Sequence, residues 1–369
     1  MPMPEMTPRE RFLYAFTHRE GDRVPIFEAI ANPRLYPEKI GEENYYYEGA
    51  KSAKLIRALG MDGVHIEVGG FTSHIGPYQN WSDKTHFTDE FGVPHIVSEA
   101  SWPLAMASGH AFPDRESWEK GPRPDPLADW RYESLLNGVK ESIRGKADDV
   151  SPVAAVRGAF TVMFISMGFE NMAMTLYDDE DLLREMSAWF TDFWTKISLR
   201  CVECGADAIY IANDMGFNTN TLMSPEAMRD IFLPDLEKQV RTIKATGAKV
   251  ILHSCGNLNP ILPEIVDTGI DALTNLQVSA EMDLEQIKRD YGDRITIMGN
   301  VDSTNVLSIP DNKKAIEEEV IRKLRIGAPG GGYVMSTDHS LHQGIPIENV
   351  DYYLEFAKRY GKYPLELPE

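Results

Sequence analysis

Cysteine is scarce in this sequence, with three residues in 369. That argues against a disulfide framework and for a reducing, cytoplasmic setting. Long hydrophobic runs are missing too. None reaches the roughly 18 residues that a membrane span needs, and the opening MPMPEMTPRERF has no apolar signal-peptide core. Positive charge is short: 37 Lys and Arg stand against 57 Asp and Glu, a net charge of −20. Nucleic acid and anionic membranes are therefore unsuited as general partners, and a heavily anionic substrate is disfavoured. No glycine-rich dinucleotide fingerprint follows the first strand. Neither an internal repeat nor a linker is visible, so one domain over residues 1–369 is expected.

What is present is an alternation of short apolar runs and helical stretches. The runs are Val24–Ile30, Val64–Val68, Pro152–Gly158, Asp207–Ala212, Lys249–Leu252, Ala272–Val278, Ile295–Val301 and Tyr333–Ser336. Each is followed by a segment with helical spacing. Thr7-Pro8-Arg9-Glu10 starts an N-terminal helix, with Thr as cap and Pro in the first turn. Eight strand–helix units with right-handed crossovers predict an α/β fold, a (β/α)8 barrel. A long polar and aromatic insertion, about 69–150, interrupts it after the second strand; such connections are often lids or substrate loops.

In such a barrel the C-terminal strand ends gather at one mouth, where sites are built. Here they supply Glu28, Glu67, Arg157, Asn213, Asp214, His253, Cys255, Gln277, Asn300, Asp302, Asp338 and His339. Acidic residues at such ends also cap helices, an equal reading for Glu28, Glu67 and Asp302. Arg157 in an apolar strand needs a carboxylate or an anionic ligand.

His253 and Cys255 carry the sharpest signal. Residues two apart on a strand face the same side, so one nitrogen and one sulfur aim at a common point, which is zinc chemistry. A third ligand must come from elsewhere: Asp338 or His339, with His342 a weaker choice. The Cys201-x-x-Cys204 pair falls near a helix end at the opposite mouth and reads as packing. Asp214, Arg157 and Glu67 are the candidate catalytic groups, and Glu28, Asn213, Gln277 and Asn300 the candidate substrate contacts.

Six stretches carry a family resemblance across nearly the whole chain: TPRERFLYAFTHREGDRVP at 7–25, DEFGVPH at 89–95, SPEAMRDIFLP at 224–234, HSCGN at 253–257, TNLQVSAEMDLEQIKRDYGDRITIMGNVD at 274–302 and GGGYVMSTDHSLHQGIPIENV at 330–350. Together they resemble the uroporphyrinogen decarboxylase superfamily, and within it the cobalamin-linked methyltransferase branch. The resemblance implies a (β/α)8 barrel and a His-x-Cys zinc pair, which maps onto His253 and Cys255. In that branch a second cysteine near the last strand completes the set. Here the matching positions hold Asp338 and His339, a harder donor set. The decarboxylase's arginine-rich loop after the first strand is reduced to EAIANPRLYPEK, with Arg34 alone.

The resemblance implies methyl transfer between a small methylated substrate and cobalamin carried by a separate corrinoid protein. No Asp-x-His-x-x-Gly corrinoid-binding pattern occurs in this chain. A methoxylated aromatic is one candidate donor, with Phe71, Tyr78, Trp81, Phe87 and Phe91 of the insertion as candidate pocket walls or as loop packing. The rivals are a thiol (coenzyme M-type) methyltransferase, a metal-free decarboxylase of a small acid using Arg157 and Asp214, and a non-catalytic partner of a corrinoid protein.

Overall fold

The structure is a computed structural model that describes residues 4–43, 48–68, 86–96 and 105–368. Eight parallel strands follow one another around a barrel: β1 (Phe27–Glu28), β2 (Gly63–Glu67), β3 (Ser151–Arg157), β4 (Ala208–Ala212), β5 (Lys249–His253), β6 (Ala272–Thr274), β7 (Thr296–Met298) and β8 (Tyr333–Val334). Sheet neighbours are sequence neighbours throughout. The ring closes where Ile26 bridges Met335, with Phe27 N donating to Met335 O at 3.1 Å and Met335 N to Pro25 O at 2.8 Å. The expected barrel is the one observed.

The strands are buried on both faces, which is why they read as apolar runs rather than alternations. Their inward side chains, among them Phe27, Val153, Ala155, Tyr210, Ile251 and Met298, form an inner core. Phe12, Ala15 and Phe16 of the N-terminal helix Pro8–Ala15 complete it from below. That helix has the predicted cap: Glu10 N donates to Thr7 Oγ1 and Thr7 N to the Glu10 carboxylate. The arginines of this motif hold the closed end together. Arg11 binds Asp22 and Asp62, and Arg23 shares Asp62, whose side chain is wholly buried.

The insertion contains a three-stranded antiparallel sheet made of His86–Thr88, Pro94–Ile96 and Met106–Ala107. It ends sooner than the sequence suggested. Helix Glu133–Ser142 is a helix of the barrel wall and packs on Gly49–Leu59. Phe91 is buried against Trp189, Phe190 and Phe193, and Phe87 stacks on His95. These two aromatics pack the insertion rather than wall the site. Phe71, Tyr78 and Trp81 lie outside the described residues. Among the described residues no single helix is long and apolar enough to cross a membrane. Cys201 and Cys204 sit on the outer helix Glu180–Glu203 and at its end, and burial pushes both thiols up. Neither belongs to a metal-ligating cluster among the described residues.

Candidate functional site

A cavity of about 250 Å³ opens at the C-terminal mouth. Six of the residues singled out above line it: Glu67, Arg157, Asp214, His253, Cys255 and His339. Register explains part of this. Arg157, Ala212 and His253 lie side by side on β3, β4 and β5, so one row of the barrel delivers the guanidinium and the imidazole to the same face.

After β5 the chain turns through Gly256 at φ +83°, a region that favours glycine. A Cβ there would lie 2.3 Å from the Gly216 carbonyl carbon. The two glycines let the loops after β4 and β5 cross at backbone contact. This brings Asp214 over the turn: Cys255 N donates to Asp214 Oδ1 at 2.9 Å. Gln277 supports the turn from the other side, accepting from Gly256 N at 3.0 Å.

The result is three unlike donors around one point. His253 Nε2 is 3.2 Å from Asp214 Oδ1 and 3.5 Å from Cys255 Sγ. All three ligand atoms lie within 4.8 Å of one another. Around a tetrahedral zinc, with bonds of roughly 2.0 Å to N and O and 2.3 Å to S, the N–O and N–S edges are about 3.3 Å and 3.5 Å. The donor set and its spacing therefore fit such an ion. His253 Nδ1 is buried with no partner among the described residues. The hydrogen bond that usually fixes a ligating imidazole is replaced by a stack on Tyr210, with centroids 5.4 Å apart and planes at 26°.

The same contacts set the protonation of the bare site. Burial opposes charge on all three groups. For His253 the Cys255 charge and the Asp214 hydrogen bond win, raising its pKa well above the usual imidazole range. Asp214 is held well below the carboxylate range by His253 and the Cys255 amide. The Cys255 thiol is lowered by His253 and by a hydrogen bond with His339. That bond also raises His339.

Several expected roles are corrected. Asp338 is not at the ion-sized point. Its carboxylate accepts from Ser303 N at 2.9 Å, Ser303 Oγ at 2.7 Å and Val278 N at 3.2 Å, lacing the loops after β6 and β7 to the loop after β8. Asp214, expected only as a catalytic group, takes its place. Asn300 is buried, donating to Leu276 O and Met282 O while Lys323 Nζ donates to its Oδ1 at 2.6 Å. Asn213 accepts from Thr161 N, and Gln277 is engaged as above. Glu28 is sealed beneath the mouth, accepting from Thr337 N and Tyr353 OH. None of these four substrate-contact candidates faces the cavity. Asp302 caps the turn at Thr304 and Asn305, its structural reading. His342 is tied to Gly344 N. Arg34 donates to the Gln343 carbonyl.

Sequence reasoning missed His65, Tyr210 and Asn275 on the cavity wall. His65 and Glu67 are two apart on β2, and Tyr210 lies two before Ala212 on β4. Inward alternation, carried one step further from the strand ends, would have found these two; Asn275 follows the end of β6. Glu67 lies 3.5 Å from Arg157 Nη2 and 4.0 Å from His65 Nε2. Burial pushes His65 below the usual imidazole range.

The family model for uroporphyrinogen decarboxylase (URO-D) matches residues 99–360. The chain belongs to the uroporphyrinogen decarboxylase family. This family member is 23% identical over 245 residues to a uroporphyrinogen decarboxylase of Chlorobaculum parvum, covering 63% of this chain and 68% of that protein. It is 23% identical over 367 residues to a methylcobamide:CoM methyltransferase of Methanosarcina barkeri, covering 94% and 96%. Among solved structures, a methyltransferase from Methanosarcina mazei shares the fold with a TM-score of 0.71 at 22% identity, covering 96% and 99%. These last two likenesses, which span nearly the full length, are to methyltransferases, the branch to which the motifs pointed.

Proposed function

We propose that this member of the family is a zinc-dependent methyltransferase that passes a methyl group between a small methylated substrate and a corrinoid protein. The observation that carries the reading is the group Asp214, His253 and Cys255, converging within 4.8 Å at the cavity. These three would hold the ion, with His339 beside Cys255 as a further donor. A bound zinc supplies Lewis acidity to the heteroatom that carries the methyl group.

The chain's own groups do the rest. Tyr210 and Ala212 form an apolar wall for a small donor, and Arg157, with Glu67, orients a polar or anionic substituent. A corrinoid protein would bring cobalt to the methyl carbon through this mouth. Arg34 is tied to a backbone carbonyl and Arg157 faces Glu67, so these two arginines make no clamp for a polycarboxylate. Decarboxylation of a porphyrinogen is therefore disfavoured.

The test combines metal analysis of protein purified without chelator with a screen of methyl donors against free cob(I)alamin. About one zinc per chain and methylcobalamin formation support the reading. Metal-free protein that transfers no methyl group overturns it.

A further inference from the structure

Among the described residues Tyr210 is the one phenylalanine, tyrosine or tryptophan that lines the cavity. Its side chain is 97% removed from solvent, being 3% exposed. It rises from the inner core of the barrel between two imidazoles. His65 meets it edge-on at 4.8 Å and 90°, and His253 stacks on it at 5.4 Å. No hydrogen bond to its hydroxyl is found among the described residues, and the hydroxyl is not one of the fully sealed unpaired polar atoms, so it is free to meet a ligand in the cavity. Glu28, Thr337 and Tyr353, by contrast, are all mutually satisfied. A phenol both donates and accepts, but next to Glu67 and Asp214 the donor is the useful half.

We propose that Tyr210 donates a hydrogen bond to the atom that surrenders the methyl group, and that this atom is oxygen. The inference rests on the methyl-transfer reading and sharpens it to methyl ethers. Displacement at a methyl carbon is in line, so cobalt arriving at the mouth requires the leaving atom to lie deeper, toward the ring that stacks on His253. There the C–O bond breaks as the Co–C bond forms. Cobalt(I) supplies the electron pair and becomes cobalt(III). The oxygen keeps the C–O pair, is stabilised by the Tyr210 hydrogen bond, and takes a proton from water on release. Tyr210 keeps its own proton. A departing thiolate gains less from such a donor than an oxyanion does, because its charge is spread over a larger, softer atom.

Tyr210→Phe removes the hydroxyl and keeps the stack on His253. Wild type and variant are compared with free cob(I)alamin, using ring-substituted methyl aryl ethers and the matching methyl aryl thioethers. With ethers the variant loses about 100-fold in kcat/KM, the range for removing one donor to a developing oxyanion. The loss grows as the leaving phenol becomes less acidic, a trend that a packing defect does not produce. Thioether rates and zinc content stay unchanged, and calorimetry shows weaker binding of phenol but not of thiophenol. An equal loss across all leaving groups, no loss, or turnover of thioethers alone overturns the inference while methyl transfer stands. If the wild type transfers methyl from neither class, both readings fall.

Discussion

Thr337 Oγ1 lies 2.6 Å from Glu28 Oε2, and the same hydroxyl is bonded to the His339 carbonyl. A hydroxyl has one proton to donate. Both contacts are satisfied together when Glu28 is protonated: the acid donates to Thr337, and Thr337 donates to His339. Burial agrees, pushing Glu28 up to about 7 despite the hydrogen bonds from Thr337, Tyr353 and Ser336 that oppose it. A neutral acid thus helps to hold the loop that carries His339.

The sign of the pH effect follows. The folded chain keeps this proton to about pH 7, while the unfolded chain releases it near 4.5. The stabilisation is full below pH 4.5 and is lost as pH rises through 7, a change of about 3 kcal/mol. Thermal melts from pH 4.5 to 8 should show it. Glu28→Gln should flatten this component with little loss at pH 8. Glu28→Ala should cost about 2–4 kcal/mol at low pH, because Thr337 N and Tyr353 OH lose their acceptor.

Two aspartates should separate cleanly. Asp214→Asn should lower zinc content and, after chelation, also lower the melting temperature, because the amide no longer balances the charged His253. Asp338→Asn should retain zinc and lose about 2 kcal/mol, since the amide replaces one acceptor of the Ser303 and Val278 contacts by a donor. Metal analysis and melts on the same preparations decide it.

Asn300→Ala should behave as a core defect. It removes one of the two partners of buried Lys323 Nζ, Glu319 remaining, and takes the Asn300 amide from two carbonyls, a cost of about 3 kcal/mol. Denaturant unfolding should register it, and KM for the methyl donor should not move.

Gly256→Ala should combine both effects. A Cβ in the left-handed region, set against the Gly216 carbonyl carbon, must part the two loops. A loss of about 2 kcal/mol or more is expected, together with zinc affinity, because Cys255 moves with the turn. Equilibrium dialysis with zinc reads the second part.

The fold was legible because parallel strands buried on both faces leave apolar runs between helical spacings. His253 and Cys255 were legible through two-residue alternation. What lay beyond was set by loops. β6 ends at Thr274 because Asn275 adopts φ +60°, so Gln277 falls in a turn and faces Gly256 rather than the cavity. Asp214 and Asp338 both follow strands, and only the crossing at Gly216 and Gly256 decides which one reaches His253. Helix Glu133–Ser142 was hidden at the end of a segment with little periodicity.

The segment after β8 divides two tasks between neighbours. Residue 338 fastens three loops, and residue 339 faces the cavity beside the thiol. A side chain can therefore change at 339 without unlacing the rim, whereas a thiolate placed at 338 would undo the fastening before it reached an ion. Whether this barrel prefers a soft or a hard methyl carrier can then shift by one codon, at a position the scaffold does not depend on.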